Sequence, residues 1–212
     1  MQLFRLDSSI RIDNSTSRAL ADTAEQAWLA EHEGGTVVRR DLGMQPLVTD
    51  AWTTVARSVI EQGTAPEDGL ALIDELGDEL LQSDAYLFAV PMYNWNVPAQ
   101  VKAWIDLIIA HPRLGVHGDR PIAGRPAIVT LSRGGGYGPG SPKEGWDFAT
   151  PYLLKILGEV FGLDVRVAEA ELTHAFWNPD MAHLRDAAEQ SLGAAQTRAA
   201  EHGTAVARAA KV

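Results

Sequence analysis

Short apolar segments alternate along this chain with longer segments in which apolar residues recur every three or four positions. The short segments predict five β-strands, at residues 3–6, 36–40, 85–90, 127–131 and 163–168. The longer segments predict helices that begin near residues 16, 50, 67, 98, 150 and 178. This alternation is typical of a parallel sheet covered by helices on both faces. Because no repeat, linker or change in composition interrupts it, we predict one α/β domain over residues 1–212.

Polar residues mark where several of these helices begin. Ser15 or Asn14 is a suitable N-cap for the first helix, and Thr150 is expected to cap the helix after the fourth strand. The Asn-Pro pair at residues 178–179 is expected to open an alanine-rich C-terminal helix. From about Gly203 that helix has few apolar residues to bury, so we expect its end to fray.

Composition and charge exclude several classes of protein. The chain is 46% hydrophobic and 22% charged, as globular proteins are. It has no cysteine, which excludes disulfides and thiolate chemistry, and its six histidines lack metal-site spacing, so no metal is expected. No segment has the pattern of a membrane span or signal peptide, so we predict a cytoplasmic protein with no membrane partner. The net charge of −10 argues against nucleic-acid binding.

The loop after the third strand has the composition of a ligand site. An apolar run ends at Pro91, and Met-Tyr-Asn-Trp-Asn follows at residues 92–96. In open α/β sheets, ligands bind outside the carboxyl ends of the strands. Backbone amides, two asparagines and two large rings suit a flat heteroaromatic cofactor, although an ordinary strand-to-helix loop is the alternative.

The loop after the first strand is rich in hydroxyl groups. It leads into a helix N-terminus, where free N–H groups and the helix dipole favour an anion. Ser9, Ser15 and Ser17 could add donors, so a phosphate could bind there without a lysine. The alternative is a polar turn in which Ser15 only caps the helix. The segment has neither a Walker A motif nor a dinucleotide-binding glycine motif.

A glycine-rich loop follows the fourth strand at residues 132–140. Glycine lets the backbone approach a ligand closely, although a flexible surface loop is the alternative. In the flavodoxin-like sheet order 2-1-3-4-5, strands one, three and four are neighbours. Their loops would then converge on one crevice, where one binds a phosphate and the other two bind a ring system.

Several motifs together resemble the FMN-dependent NADH-azoreductase family, within the flavodoxin-like NAD(P)H quinone reductases. They are the serines at residues 8–9, Ser-Thr-Ser at 15–17, Pro-Met-Tyr-Asn-Trp-Asn at 91–96, Ser-Arg-Gly-Gly at 132–135 and Thr-Pro-Tyr-Leu at 150–153. The resemblance implies a flavodoxin-like three-layer sandwich, a homodimer, an FMN cofactor and NADH as electron donor. It also implies two-electron, ping-pong reduction of azo compounds and quinones.

The resemblance further implies which residues bind FMN. The phosphate would be bound by Ser9, Ser15, Thr16 and Ser17, and the isoalloxazine by Met92, Tyr93, Asn94, Trp95, Ser132, Arg133, Gly134 and Gly135. Because the flavin carries the chemistry, no catalytic acid or base is expected. By residue type alone, the Arg133 side chain is expected in solvent. Residues 136–146 and 171–177 depart from the family pattern and are expected to border the substrate pocket.

Three other functions fit parts of the pattern. The protein could be an NAD(P)H quinone reductase without azo activity, an FMN electron carrier, or a regulatory domain that binds no flavin. The apolar helix after Asn96, with Trp104 and Ile108, suits a dimer that shelters a substrate pocket and argues against a carrier.

Overall fold

Five parallel strands form one sheet in the order β2-β1-β3-β4-β5 in the computed structural model, which describes residues 1–47, 50–64, 66–115 and 118–210. The strands are β1 (Gln2–Asp7), β2 (Thr36–Asp41), β3 (Ala85–Pro91), β4 (Pro126–Ser132) and β5 (Asp164–Ala170). The predicted strand order is therefore confirmed. Every residue of the central strands β3 and β4 is buried, which explains their continuous apolar sequences.

Over the residues that the structure describes, six helices cover the two faces of this sheet. They are α1 (Thr16–Glu31), α2 (Ala51–Gln62), α3 (Glu67–Leu81), α4 (Ala99–Ala110), α5 (Ala149–Leu153, continued by the π-helix Leu154–Val160) and α6 (Arg185–Ala209). Two short 3₁₀ segments, Thr173–Phe176 and Pro179–Leu184, connect β5 to α6. Within the described ranges, no helix is both long enough and apolar enough to cross a bilayer.

Each face of the sheet has its own apolar core. Leu3 on β1 packs with α1 and α6, whereas Phe4, the next residue, packs with the helices of the other face. This alternation is the period of two expected of a strand. The predicted three-layer sandwich is therefore confirmed.

The apolar stripe of α4 belongs to the core of the single chain. Trp104 and Ile108 are almost fully buried, and the Trp104 ring stacks on Phe4 with centroids 6.2 Å apart. The interpretation that these two residues suit a dimer surface is therefore wrong. They are the side chains that cover one face of β1 and β3.

Two helix starts differ from their predictions. Asp147, not Thr150, caps α5, because its Oδ1 accepts the N–H groups of Ala149 and Thr150, each at 2.9 Å. Asn178 caps a 3₁₀ segment by accepting the Asp180 N–H, and the α-helix begins only at Arg185. In both cases a side chain satisfies free N–H groups. At α5 this side chain is not the predicted one, and at Asn178 the capped element is not the predicted α-helix.

The end of α6 is packed against α1, so the fraying prediction is wrong over the described residues. Val206 and Ala207 are fully buried, and a Cβ atom at Gly203 would overlap the carbonyl oxygen of Ala24. Small residues allow the two helix backbones to approach closely. Burial at this end thus depends on small residues and not on a row of large apolar ones.

We expect Gly203→Ala to destabilise the protein by about 1–3 kcal/mol, because the added methyl group must push α6 away from α1. Gly193→Ala is the matched control in the same helix, because its Cβ would meet open space. That variant should be stabilised by up to about 1 kcal/mol through helix propensity. Urea unfolding measures both changes. A shift of both midpoints in the same direction would contradict the close packing.

Candidate active site

The loops after β1, β3, β4 and β5 surround two adjoining cavities at one edge of the sheet. The first, which we call the helix cavity, lies at the N-terminus of α1 and has a volume of about 760 Å³. The second, the glycine-loop cavity, is walled largely by residues 134–139 and has a volume of about 670 Å³. Met92, Gly134 and His174 line both. The loops after β1, β3 and β4 therefore converge at this edge of the sheet, as predicted.

The two cavities divide ten of the twelve predicted site residues between them. Those that line the helix cavity are Ser9, Ser15, Thr16, Met92, Tyr93, Ser132 and Gly134, and those that line the glycine-loop cavity are Met92, Asn94, Trp95, Gly134 and Gly135. Ser17 and Arg133 line neither. Ser17 is fully buried in the first turn of α1, where its carbonyl accepts the Thr130 hydroxyl at 3.0 Å.

The N-terminus of α1 presents hydrogen-bond donors to the helix cavity. Ser15 caps the helix by accepting the Arg18 N–H at 3.5 Å, and its hydroxyl lies 3.4 Å from that of Ser17. The N–H groups of Thr16 and Ser17 are in the first turn and have no carbonyl one turn back within the helix. Together with the helix dipole, these donors favour an anion.

The loop that covers this N-terminus is fixed from two sides. The Tyr93 hydroxyl accepts the Ile10 N–H at 3.2 Å and lies 3.4 Å from the Ser9 hydroxyl. On the other side, Arg18 donates to the Ser9 carbonyl at 2.8 Å and forms a two-point ion pair with Asp41. Burial alone would raise the pKa of Asp41, but Arg18, together with the N–H groups of Met44 and Gly43, outweighs burial and lowers it. Arg18 therefore acts as a structural cation whose charge is already neutralised.

The loop after β3 contains a strained turn. The N–H and C=O groups of Tyr93 and Asn96 bond each other at 2.9 and 3.0 Å, and Asn94 and Trp95 have φ of +48° and +66°. Two positive φ values define a type I′ turn, which Asn tolerates and a bulky residue such as Trp disfavours. Within the described chain, the N–H groups of Asn94 and Trp95 donate to no protein acceptor. The turn thus leaves two amides available beside the glycine-loop cavity.

Trp95 is held from the far side of the glycine loop. Its ring meets that of Trp146 edge-on with centroids 5.7 Å apart, and its carbonyl accepts the Phe148 N–H at 3.0 Å. Trp146 therefore supports Trp95, whereas Trp177 lines the helix cavity. Both tryptophans lie next to the site, in the two regions where the sequence departs from the family pattern.

The glycine loop is paired with the segment that follows β5. The carbonyls of Arg133, Gly134 and Gly135 accept the N–H groups of Thr173, His174 and Leu172, each at 3.1 Å. A Cβ at Gly134 would overlap the His174 ring, whereas at Gly135 it would meet only the Tyr137 ring at 3.6 Å. Gly134 is thus required by packing, while Gly135 keeps space open beside a cavity.

Arg133 is buried, with 6% of its surface exposed, so its predicted location in solvent is wrong. Its guanidinium pairs with Asp147 at 2.6 Å, with Glu169, and with Glu171 at 3.6 Å. Glu171 in turn accepts the Tyr137 N–H at 2.9 Å. The Arg133 side chain therefore joins the start of α5, the end of β5 and the glycine loop, and it is turned away from both cavities.

Sequence reasoning did not single out several ionisable residues of the site, among them Arg11 and His174. Arg11 lines the helix cavity, and His174 lines both cavities. Burial, followed by the charges of Lys143 and Arg11, lowers the pKa of His174 below its ordinary value. The sequence signal for His174 was that residues 171–177 follow a strand and depart from the family pattern. The pairing of His174 with Gly134 is a tertiary contact, which a sequence pattern does not show.

Comparison with known proteins places the chain in a family. Residues 1–196 match the family model described as a flavodoxin-like fold. A protein of Kineococcus radiotolerans is 39% identical over 204 residues, covering 94% of this chain and 96% of its own. A protein of Frankia alni is 37% identical over 200 residues, covering 92% and 95%. The chain belongs to this flavodoxin-like family. Both relatives are named FMN-dependent NADH:quinone oxidoreductase.

Solved structures support the same fold. An azoreductase from Bacillus anthracis strain Sterne superposes with a TM-score of 0.74 at 20% identity, covering 97% of this chain and 99% of its own. An FMN-dependent NADH-azoreductase from Bacillus anthracis strain Ames Ancestor, solved in complex with FMN, gives 0.72 at 16% identity, covering 97% and 98%. These structures confirm the flavodoxin-like fold, whereas the family model and the two relatives confirm the family membership inferred from the motifs.

We expect Arg133→Met to cost on the order of 3 kcal/mol of stability, because it leaves three carboxylates without their shared cation. Arg11→Met is the control, since Arg11 is exposed and its loss should change stability by no more than about 0.5 kcal/mol. Urea unfolding compares the two variants. If Arg133→Met kept full stability and lost only ligand binding, its side chain would have to face the cavity.

Proposed function

We propose that this protein is an FMN-dependent NADH:quinone oxidoreductase that also reduces azo compounds. The observation that carries the proposal is the pair of adjoining cavities, one at a helix N-terminus and one between amide-rich loops. The names of the relatives at 37% and 39% identity support the same activity. Quinone reduction has this support at the level of sequence, whereas azo reduction is supported by the motifs and by the fold.

The residues of the two cavities fit the two ends of FMN. A phosphate group would be bound by the hydroxyls of Ser9 and Ser15 and by the first-turn amides of α1. A flat ring would lie beside Met92, between the Asn94–Trp95 turn and the Gly134–Gly135 backbone. Such a division into an anion site and a ring site matches a mononucleotide.

When bound, FMN would accept hydride from NADH and pass two electrons to the quinone or azo acceptor. The amides of Asn94 and Trp95 would bind the polar edge of the ring that includes N5, O4 and N3. The amides of Gly134 and Gly135 would stabilise negative charge near N1 and O2. Preorganised donors of this kind act most strongly where water is excluded. No side-chain acid or base is needed, because the flavin carries the chemistry. We infer a ping-pong cycle, because donor and acceptor would use the same face of the flavin ring in turn.

One observation favours an enzyme over an FMN electron carrier. The glycine-loop cavity, in which the ring would lie, has a volume of about 670 Å³, and a three-ring flavin would fill only part of it. A carrier needs an exposed cofactor edge and a surface for its partner protein, not a cavity for a second small molecule. We also place the protein in the cytoplasm, which its cysteine-free composition favours.

The function is tested with purified protein, FMN and NADH. Added FMN should bind, anaerobic NADH should bleach the flavin absorption rapidly, and a quinone or azo dye should then restore it. A carrier would bind FMN without rapid bleaching by NADH. A protein that takes up no FMN would contradict the proposal altogether.

Gly135→Val tests where the ring lies. The valine side chain would project into the space beside the cavity, so we expect FMN affinity to fall about tenfold or more with little change in stability. Gly193→Val is the control, because its side chain would meet open space on α6. Fluorescence titration of FMN measures both affinities. Unchanged binding by Gly135→Val would show that this placement is wrong.

We further propose that two copies of the chain form a homodimer through a surface made of Trp95, Trp146 and Phe148. Trp146 and Phe148 are 51% and 56% exposed. Both contact Trp95, Trp146 through its ring and Phe148 through a backbone hydrogen bond. Large exposed rings grouped in this way are typical of a protein interface. The surface borders the glycine-loop cavity, so a second copy seated there would shelter the substrate.

Sedimentation velocity tests the dimer. The natural protein should sediment as a dimer, and a Trp146→Ser, Phe148→Ser double variant should shift towards the monomer, because central aromatic residues dominate interface energies. Trp177→Ser is the control, since Trp177 is 58% exposed but lies outside this surface. Dissociation by the control alone would place the interface elsewhere.

A further inference from the structure

His174 occupies the boundary between the two cavities. Only Met92, Gly134 and His174 line both of them among the described residues, and His174 is the one member with an ionisable side chain. Its ring also faces that of Trp177, with centroids 4.7 Å apart. Any ligand that spans both cavities must pass this imidazole.

The backbone holds the imidazole in a fixed place. The His174 N–H donates to Gly134 at 3.1 Å, and its carbonyl accepts the Asn178 N–H at 2.8 Å. The ring rests on the Cα atom of Gly134, in the space that a Cβ would occupy. Within the described chain, no hydrogen bond joins the ring nitrogens of His174 to a protein group, and the ring lines both cavities, so the nitrogens remain available to a ligand.

Burial and nearby positive charges favour the neutral form of the His174 imidazole. Burial, then Lys143 and Arg11, lowers the pKa of His174. The other charged or titratable side chains that line the two cavities are Arg18, Asp22 and Tyr93 in the helix cavity, and Tyr137 and Glu171 in the glycine-loop cavity. Arg18, Asp22 and Glu171 are already paired with Asp41, Arg5 and Arg133, respectively. A negative charge placed beside the His174 imidazole would therefore favour protonation of the imidazole.

We propose that His174 is a positioning residue that takes up a proton when negative charge develops on the ring of the bound flavin. The inference rests on the proposed function, in which the neighbouring amide of Gly134 faces N1 and O2. A hydride brings two electrons and one proton, and it leaves the ring with an added negative charge. The proton that balances this charge comes from solvent to the imidazole and returns to solvent when the acceptor is reduced.

The pH dependence of this effect has a definite sign. Below the His174 pKa of the oxidised complex, the imidazole carries its charge in both redox states and stabilises the reduced flavin ring. As the pH rises through the His174 pKa of the reduced complex, the charge and its stabilisation are lost. The advantage of histidine over an uncharged residue should therefore be largest in acid and disappear in base.

The test compares the midpoint potential of bound FMN in the natural protein, His174→Gln and His183→Gln from pH 5.5 to 9. At pH 5.5, His174→Gln should lower the preference for reduced over oxidised FMN about tenfold, which is about 30 mV for a two-electron couple. The difference should vanish near pH 9. His183→Gln, which changes an exposed histidine outside both cavities, should match the natural protein throughout.

The outcomes separate this inference from the proposed function. If the natural protein binds no FMN, the proposed function is wrong. If it binds FMN and His174→Gln has the same potential at every pH, only the inference on His174 is wrong. An offset that stays constant with pH would indicate loop packing without proton uptake, and it would also overturn the inference.

Discussion

The parallel hydrogen bonding of β1, β3 and β4 is the constraint on which the site depends. The ladder continues one residue past each strand, because the N–H groups of Ser8, Met92 and Arg133 bond the carbonyls of Ala89, Ser132 and Ala170. Three segments that lie far apart in the chain therefore leave the sheet side by side. The loops that follow these strands therefore lie at the same edge of the sheet, and the two cavities form between them.

Much of this architecture can be predicted from the sequence, since it depends on local patterns. Apolar runs identify β3 and β4, and hydroxyl, asparagine and glycine residues at strand ends identify the loops. The environment of Arg133 cannot be predicted this way, because its carboxylates come from Asp147, Glu169 and Glu171. The same is true of Gly203 and His174, whose roles depend on the tertiary contacts that they make with Ala24 and Gly134.

Several features of the site lower stability, and the rest of the fold offsets them. Trp95 has a backbone conformation that costs about 1–3 kcal/mol in a non-glycine residue. Burial of Arg133 carries a desolvation cost that must be offset by its ion pairs. Opposing these costs, Phe4, Phe88 and Trp104 pack face and edge in one core. A rigid core therefore allows the loops to keep amides unpaired and a bulky ring strained beside the cavities.

The way the site attracts anions differs from that of a basic protein surface. The chain carries a net charge of −10, yet FMN and NADH are both anionic. Arg18 faces the helix cavity but is neutralised by Asp41, so the attraction must come from the dipole of α1, from loop amides and from the exposed Arg11 and Lys143. Such donors act over a few ångströms and have fixed directions. An acidic surface with a locally positive cavity therefore binds an anion by its fit to the site and not by its charge alone.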